Sequence, residues 1–171
     1  MRVVLIGNSG AGKSTLAARL ARELAAAHLD LDTLAWLPVQ PPQRAPVSQS
    51  VATLEQFTAA NERWVIEGCY ADLLGAAAER SDLLLFLNPG IEACLQNCRA
   101  RPWEPHKYPS REAQDANLPM LLGWVADYEV RVDEFSLVAH RRLFDGFAGQ
   151  KLELTSREAT EAFSCLPSPA L

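Results

Sequence analysis

Gly7-Asn8-Ser9-Gly10-Ala11-Gly12-Lys13-Ser14 follows the apolar run Val3-Val4-Leu5-Ile6 without a break. A glycine, four free positions and then Gly-Lys-Ser form a phosphate-cradling pattern. Glycines admit backbone conformations that a side chain forbids, so successive N–H groups can turn inward around an anion. Lys13 adds a mobile charge for the β- and γ-phosphates, and the Ser14 hydroxyl can ligate Mg²⁺. A helix starting at Lys13-Ser14-Thr15 aims its free N–H groups and the positive end of its dipole at the same place. A Gly-rich turn that matches by accident is the competing reading, and it is rare in a chain of this length. Nucleoside-triphosphate binding is therefore the premise for the rest of the chain.

With 171 residues, 49 % hydrophobic and 22 % charged, the composition is that of one ordinary globular domain with a single core. A net charge of −5 argues against coating nucleic acid, which needs a cationic surface to release counterions. No apolar run reaches the length of a membrane span, and the chain enters a strand at once, so neither a membrane nor a secretory leader is expected. The expected compartment is the cytoplasm. Cys69, Cys94, Cys98 and Cys165 match no usual zinc spacing and read as reduced, structural thiols.

Outward from the loop, hydrophobic spacing predicts strands at 2–6, 28–31, 64–66, 83–87 and 151–154. It predicts helices at 13–27, 49–61, 71–79, 91–100, 118–131, 134–147 and 156–164. Residues 38–48, with four prolines, read as a loop. Residues 101–116 read as an irregular basic segment, and the tail 165–171 as frayed. Strands alternating with helices imply an α/β fold in three layers, a parallel sheet wrapped on both faces. Ligands in such sheets sit beyond the carboxyl ends of the strands. That rule gathers residues 7–14, Asp30, Asp32, Glu67 to Tyr70, Asn88 and Thr155 to Arg157 at one edge.

Phosphoryl transfer needs held phosphates, neutralised charge and an in-line acceptor. Mg²⁺ on Ser14 calls for a carboxylate, and because the fourth strand ends in Asn88 that acid is Asp32, Asp30 or Glu67. Asp32 is favoured, since it can serve the metal, the acceptor hydroxyl or both; the alternative is that it merely caps a helical turn at 33–37. Arg99, Arg101, His106, Lys107 and Arg111 suggest a lid over about 101–117 that brings cations to the triphosphate, set against a plain solvated loop. Trp36, Tyr70 and Trp103 can wall an acceptor pocket or simply pack. His140-Arg141-Arg142 reads as a solvated basic face.

The order of parts resembles the small phosphate-loop kinases, over almost the full length. It is similar to the shikimate-kinase and nucleoside-monophosphate-kinase branch, and to bacterial proteins labelled shikimate-kinase-like, adenylate-kinase-like or DNA topology modulation protein. The stretches that carry this are Leu31-Asp32-Thr33-Leu34-Ala35-Trp36, Trp64-Val65-Ile66-Glu67-Gly68-Cys69-Tyr70, Leu85-Phe86-Leu87-Asn88-Pro89-Gly90 and Cys98 to Tyr108. The resemblance implies a five-stranded parallel sheet in the order 2-3-1-4-5 and ATP with Mg²⁺. It implies an acceptor pocket between residues 32 and 75, Arg99 or Arg101 reaching the ATP, and Thr155 to Arg157 touching adenine. Glu67-Gly68-Cys69 stands where shikimate kinases carry a glycine triplet, and Cys69-Tyr70 where nucleotide kinases carry Pro-Arg. No arginine is evident in that region to grip an acidic acceptor.

The reading is thus a single nucleotide-binding domain acting as an ATP-dependent small-molecule kinase. Gly7 to Thr15 and Arg157 hold nucleotide, Ser14, Asp32 and Glu67 hold metal, and Lys13, Asp32, Arg99 and Arg101 are catalytic. The alternative is an ATP/ADP-binding sensor without a dedicated acceptor. A DNA-associated role conflicts with the acidic balance.

Overall fold

The computed structural model describes residues 1–39, 42–105 and 107–165. His106 of the basic segment and the tail 166–171 lie outside the described residues. The chain runs β1 (Arg2–Gly7), α1 (Lys13–Leu24), β2 (Ala27–Asp30), α2 (Asp32–Ala35), β3 (Trp36–Leu37), β4 (Gln43–Arg44), α3 (Val47–Ala60) and β5 (Trp64–Gly68). It continues through α4 (Ala71–Ala78), β6 (Leu83–Leu87), α5 (Ile91–Arg99), α6 (Arg111–Ala126), a 3₁₀ turn (Asp127–Glu129), α7 (Leu137–Gly146), β7 (Gln150–Leu154) and α8 (Arg157–Ala162).

Five strands pair in parallel in the order β2-β5-β1-β6-β7. Counting these five along the chain gives 2-3-1-4-5, as the resemblance implies. Side-chain alternation divides the core in two. Val3, Leu5, Val65, Leu83, Leu85 and Leu87 pack with α1, α5 and α6 on one face. Val4, Ile6, Trp64, Ile66, Leu84 and Phe86 pack with α3, α4 and α7 on the other. Strands covered on both faces must be apolar throughout, which is why β1 and β6 read as unbroken hydrophobic runs.

Several boundaries differ from expectation. Helix α1 stops at Leu24 because Ala25 turns left-handed (φ 47°) and the chain is captured into β2 through Ala27 N–H donating to Arg63 O at 3.0 Å. The alanine-rich sequence carries no sign of that stop. The proline-rich loop holds a two-residue hairpin, Trp36 and Leu37 against Arg44 and Gln43, too short for any periodicity. Helix α6 begins at Arg111, not 118: the Ser110 hydroxyl accepts from Ala113 N–H at 3.2 Å, and Pro119 lies inside the helix. The second half of the supposed irregular segment is therefore helical. Leu118, Leu121, Leu122 and Val125, which helical spacing within 118–131 puts on one face, pack into the core. Spacing in the helix predicted at 134–147 puts Phe135, Val138, Leu143 and Phe147 on one inner face, but Val138 is 55 % exposed.

The candidate nucleotide and acceptor cleft

The loop between β1 and α1 is held from three sides. Asn8 Nδ2 donates to Val125 O at 3.1 Å, and its Oδ1 accepts from Ser9 N–H at 2.8 Å. Asn97 Nδ2 of α5 donates to Gly10 O at 2.8 Å. Gly10 has φ 80°, and a Cβ there would overlap the Cys94 carbonyl oxygen and approach Cys98 Sγ at 2.8 Å, so conformation and space both demand glycine. Gly12, φ 94°, precedes the first turn of α1, and no side chain caps that turn. Lys13, Ser14 and Thr15 thus form an uncapped first helical turn, whose N–H groups lack intrahelical partners and suit an anion. Lys13 is buried and donates to Asn8 O at 2.9 Å, while Ser14 and Thr15 are exposed.

Glu67, next to last in β5, is in register with Asp30 on β2 and Leu5 on β1. Its side chain is 2 % exposed, and Oε1 has no hydrogen-bond partner. Burial pushes its pKa up to about 7, with Asp30 and Asp32 adding to the rise and Lys13 and the Ser14 hydroxyl opposing it. His28 Nε2 lies 3.9 Å from Oε1, but burial lowers the His28 pKa, so the imidazole offers no lasting charge. An orphaned buried carboxylate oxygen on a side chain that also meets the Ser14 hydroxyl is oxygen chemistry of the kind Mg²⁺ takes. Among the described residues no group of three or more His, Cys, Asp or Glu side chains is placed to hold a metal ion, so phosphate oxygens and water would have to supply most of the shell.

Asp32 does not cap α2; Leu31 is the cap position and Asp32 the first helical residue. Its Oδ1 accepts from the Tyr70 hydroxyl at 2.6 Å, and that hydroxyl accepts from Trp36 Nε1 at 2.7 Å. Its Oδ2 accepts from Lys107 Nζ at 2.7 Å, and the same ammonium lies 3.4 Å from Asp30 Oδ2. Burial works against the Asp32 charge, but Lys107, Tyr70 and Lys13 outweigh it and hold the carboxyl below its ordinary range. Lys107 moves the other way: desolvation is overcome by Asp32 and Asp30, which raise its pKa.

Beyond Tyr70 lies Arg44, unsuspected from sequence. Its guanidinium sits 4.7 Å from the Tyr70 ring centre, and its Nη2 donates to Asp72 Oδ2 at 2.9 Å. Arg131 stacks on Trp124 at 4.3 Å and pairs with Asp133 at 2.7 Å. Phe135 meets both Tyr70 and Trp124 edge-on. These residues come from β4, α4, α6 and the segment before α7, so no local pattern announces them.

The remaining expected residues are dispersed. Arg101 pairs with Glu104 at 3.2 Å and lies 3.9 Å from Cys98 Sγ, behind the loop. Arg99 is exposed at the end of α5, Arg111 is exposed near Asp115, and Arg157 is exposed against Glu161. Gln114 holds the segment after α5 to α6, accepting from Glu104 N–H and donating to Pro102 O. Asn88 Nδ2 donates to Glu153, which Arg141 grips with two bonds of 2.7 Å. Asn88 therefore ties β6 to β7.

His140 corrects the expected basic face: it is fully buried, with Nε2 donating to Cys69 O at 2.9 Å and Nδ1 accepting from Tyr128 at 2.7 Å. Cys69 O can only accept, which fixes that tautomer; burial pushes the His140 pKa down to about 4. This neutral imidazole fastens α7 to the turn carrying Tyr70. The cysteines are free, and burial pushes Cys69 and Cys94 up to about 12 and about 11, as expected of inert thiols. Among the described residues no helix is long and apolar enough to cross a membrane.

A model of the AAA domain family (AAA_33) matches residues 3–111. Over 100 residues the chain is 30 % identical to "Uncharacterized protein YqaC" of Bacillus subtilis (strain 168), covering 58 % of this chain and 56 % of that protein. The chain thus spans little more than half the length of that curated relative. A shikimate kinase from Acinetobacter baumannii, solved in complex with shikimate, superposes with a TM-score of 0.53 at 17 % identity, over 94 % of this chain and 87 % of that one. The loop geometry, the strand order and the family match agree: the chain belongs to the AAA domain family and has a phosphate-loop, kinase-like nucleotide-binding fold.

Proposed function

We propose that this protein is an ATP-dependent phosphotransferase that moves the γ-phosphate to a hydroxyl of a small acceptor seated between residues 32 and 75. The observation that carries this is Asp32. It is ionised and oriented by Tyr70, on the strand edge next to the phosphate loop and close enough to Lys13 to feel its charge. A loop without such a carboxylate can bind nucleotide; one with it can also position an attacking hydroxyl.

In this reading the amides from Gly7 to Thr15 hold the β- and γ-phosphates, and Lys13 exchanges Asn8 O for a phosphate oxygen. Ser14 and Glu67, with Asp30 or Asp32, would hold Mg²⁺, which would supply neutralising charge to the phosphates. Asp32 accepts the proton of the attacking hydroxyl as the new O–P bond forms and the bond to ADP breaks. Residues 101–105 and 107–110 act as the lid, with Arg99 or Arg101 meeting the triphosphate once Arg101 leaves Glu104. Arg157, at the start of α8, would meet the adenine on leaving Glu161.

Incubation with γ-labelled ATP and pooled metabolites tests this, label in an acceptor being the expected result and release to water alone the contrary one. An ATP/ADP sensor is favoured by a single feature, the Lys107 ammonium on the Asp32 carboxylate where a hydroxyl would dock. Asp32→Asn separates the two: a kinase keeps nucleotide affinity and loses rate, whereas a sensor has no transfer to lose.

A further inference from the structure

The acceptor side of the cleft has a charge pattern that bears on what it admits. The Arg44 guanidinium is held by Asp72 at 2.9 Å and Glu134 at 3.8 Å, and its Nη1 donates to Ala35 O at 3.4 Å. Its flat face lies on Tyr70 at 4.7 Å, with Phe135 at 5.4 Å and Trp36 at 5.8 Å. Arg131 is occupied in the same way, by Asp133 and by the faces of Trp124 and Phe135. Lys107 is held by Asp32 and Asp30. On this side of the cleft, each described cation already has a carboxylate of its own, and carboxylates outnumber cations.

From this we infer that the acceptor is a hydroxylated molecule without negative charge, and that Asp72 and Glu134 set that preference by occupying Arg44. The inference deepens the kinase reading and rests on it. A carboxylate or phosphate entering beside Tyr70 would have to displace Asp72 from a bidentate-capable donor whose ring face is also engaged, and would leave that aspartate facing like charge. A neutral hydroxylated ring meets no such obstacle. It can lie against Trp36, which is 37 % exposed and whose N–H is spent on Tyr70, and present a hydroxyl to Asp32. The Asp72 and Glu134 side chains are thus specificity-determining rather than catalytic: they touch Arg44, one phenol ring away from the reacting carboxylate.

Calorimetry on the full chain saturated with MgADP tests this, with shikimate and inorganic phosphate as anionic probes. The wild type should give no binding heat with either probe at millimolar concentration. Asp72→Asn with Glu134→Gln, two near-isosteric changes that release Arg44, should gain shikimate binding by at least tenfold over the wild-type limit. Adding Arg44→Gln should abolish the gain. Millimolar or tighter shikimate or phosphate binding by the wild type would overturn the inference. So would the absence of any gain in a double variant with native circular dichroism and undiminished MgADP affinity. No heat with MgADP itself would bring down the kinase reading, and this inference with it.

Discussion

On the nucleotide side of the cleft a single run, Gly7 to Thr15, supplies main-chain amides, and the buried Glu67 beside it keeps one oxygen without a partner. On the acceptor side Arg44, Lys107 and Arg131 arrive from separate segments, and each is held by acids of the protein itself. The first half is electrostatically unfinished and calls for an anion and a cation together. The second is self-satisfied and offers aromatic faces and one oriented carboxylate. Under the proposed function, such a site would recognise magnesium polyphosphate by charge and its partner substrate by shape and hydroxyl geometry.

The contrast can be broken most sharply at Asp32. If the acceptor half does chemistry, Asp32→Asn lowers the phosphoryl-transfer rate about 10³-fold while MgATP affinity changes less than about threefold. Radiolabel transfer and calorimetry on one preparation check both numbers.

Glu67→Gln probes the unfinished half through its pH dependence. The native Glu67 pKa, about 7, lies above the ordinary carboxylate value of 4.5, so the folded chain binds more protons between those values and the wild type loses stability as pH rises through that window. The variant lacks that loss. It should match the wild type near pH 4.5 and exceed it by about 2–3 kcal/mol above pH 7 in urea titrations, while its nucleotide affinity becomes insensitive to Mg²⁺. His140 contributes the opposite slope. Its native pKa, about 4, lies below 6.5, so stability rises with pH between those values in both proteins and cancels in their difference. A flat difference would mean that Glu67 is not the unpaired acid the geometry indicates.

Lys13→Ala should weaken MgATP binding about 10²-fold, measured by calorimetry, with the thermal transition retained. Tyr70→Phe is the smallest change. It strips the hydrogen bonds from Asp32 Oδ1 and Trp36 Nε1, for a loss of about 1–2 kcal/mol in stability and a transfer rate that falls about tenfold. The Asp32 carboxyl should also titrate at higher pH in the variant, a carbon-detected NMR shift that lost packing alone would not produce.

The legible parts of the molecule are those whose signals are local. The phosphate loop is written in consecutive residues, and the central strands β1, β5 and β6 show as apolar runs because both faces are covered. Asp32 and Glu67 could be placed at the edge by the strand rule alone. Other features depend on contacts distant in sequence. Ser110 starts α6, a cap overshadowed by Pro102, Pro105 and Pro109 just before it, and Pro119 lies inside the helix. His140 looked basic beside Arg141 and Arg142, yet its partners Cys69 and Tyr128 come from another turn and another element. Arg44 sits in a two-residue strand among prolines, where no periodicity can mark it. Lys107 was visible as a cation, but its engagement with Asp30 and Asp32 required the fold.

The most direct test is calorimetric titration of the folded protein with a non-hydrolysable ATP analogue, with and without Mg²⁺, near pH 7 in buffers of different ionisation enthalpy. The account predicts one saturable site, tighter with Mg²⁺, and proton release as Glu67 gives up the proton its burial retains. Absence of heat from correctly folded material, or binding indifferent to Mg²⁺ with no proton exchanged, would contradict it.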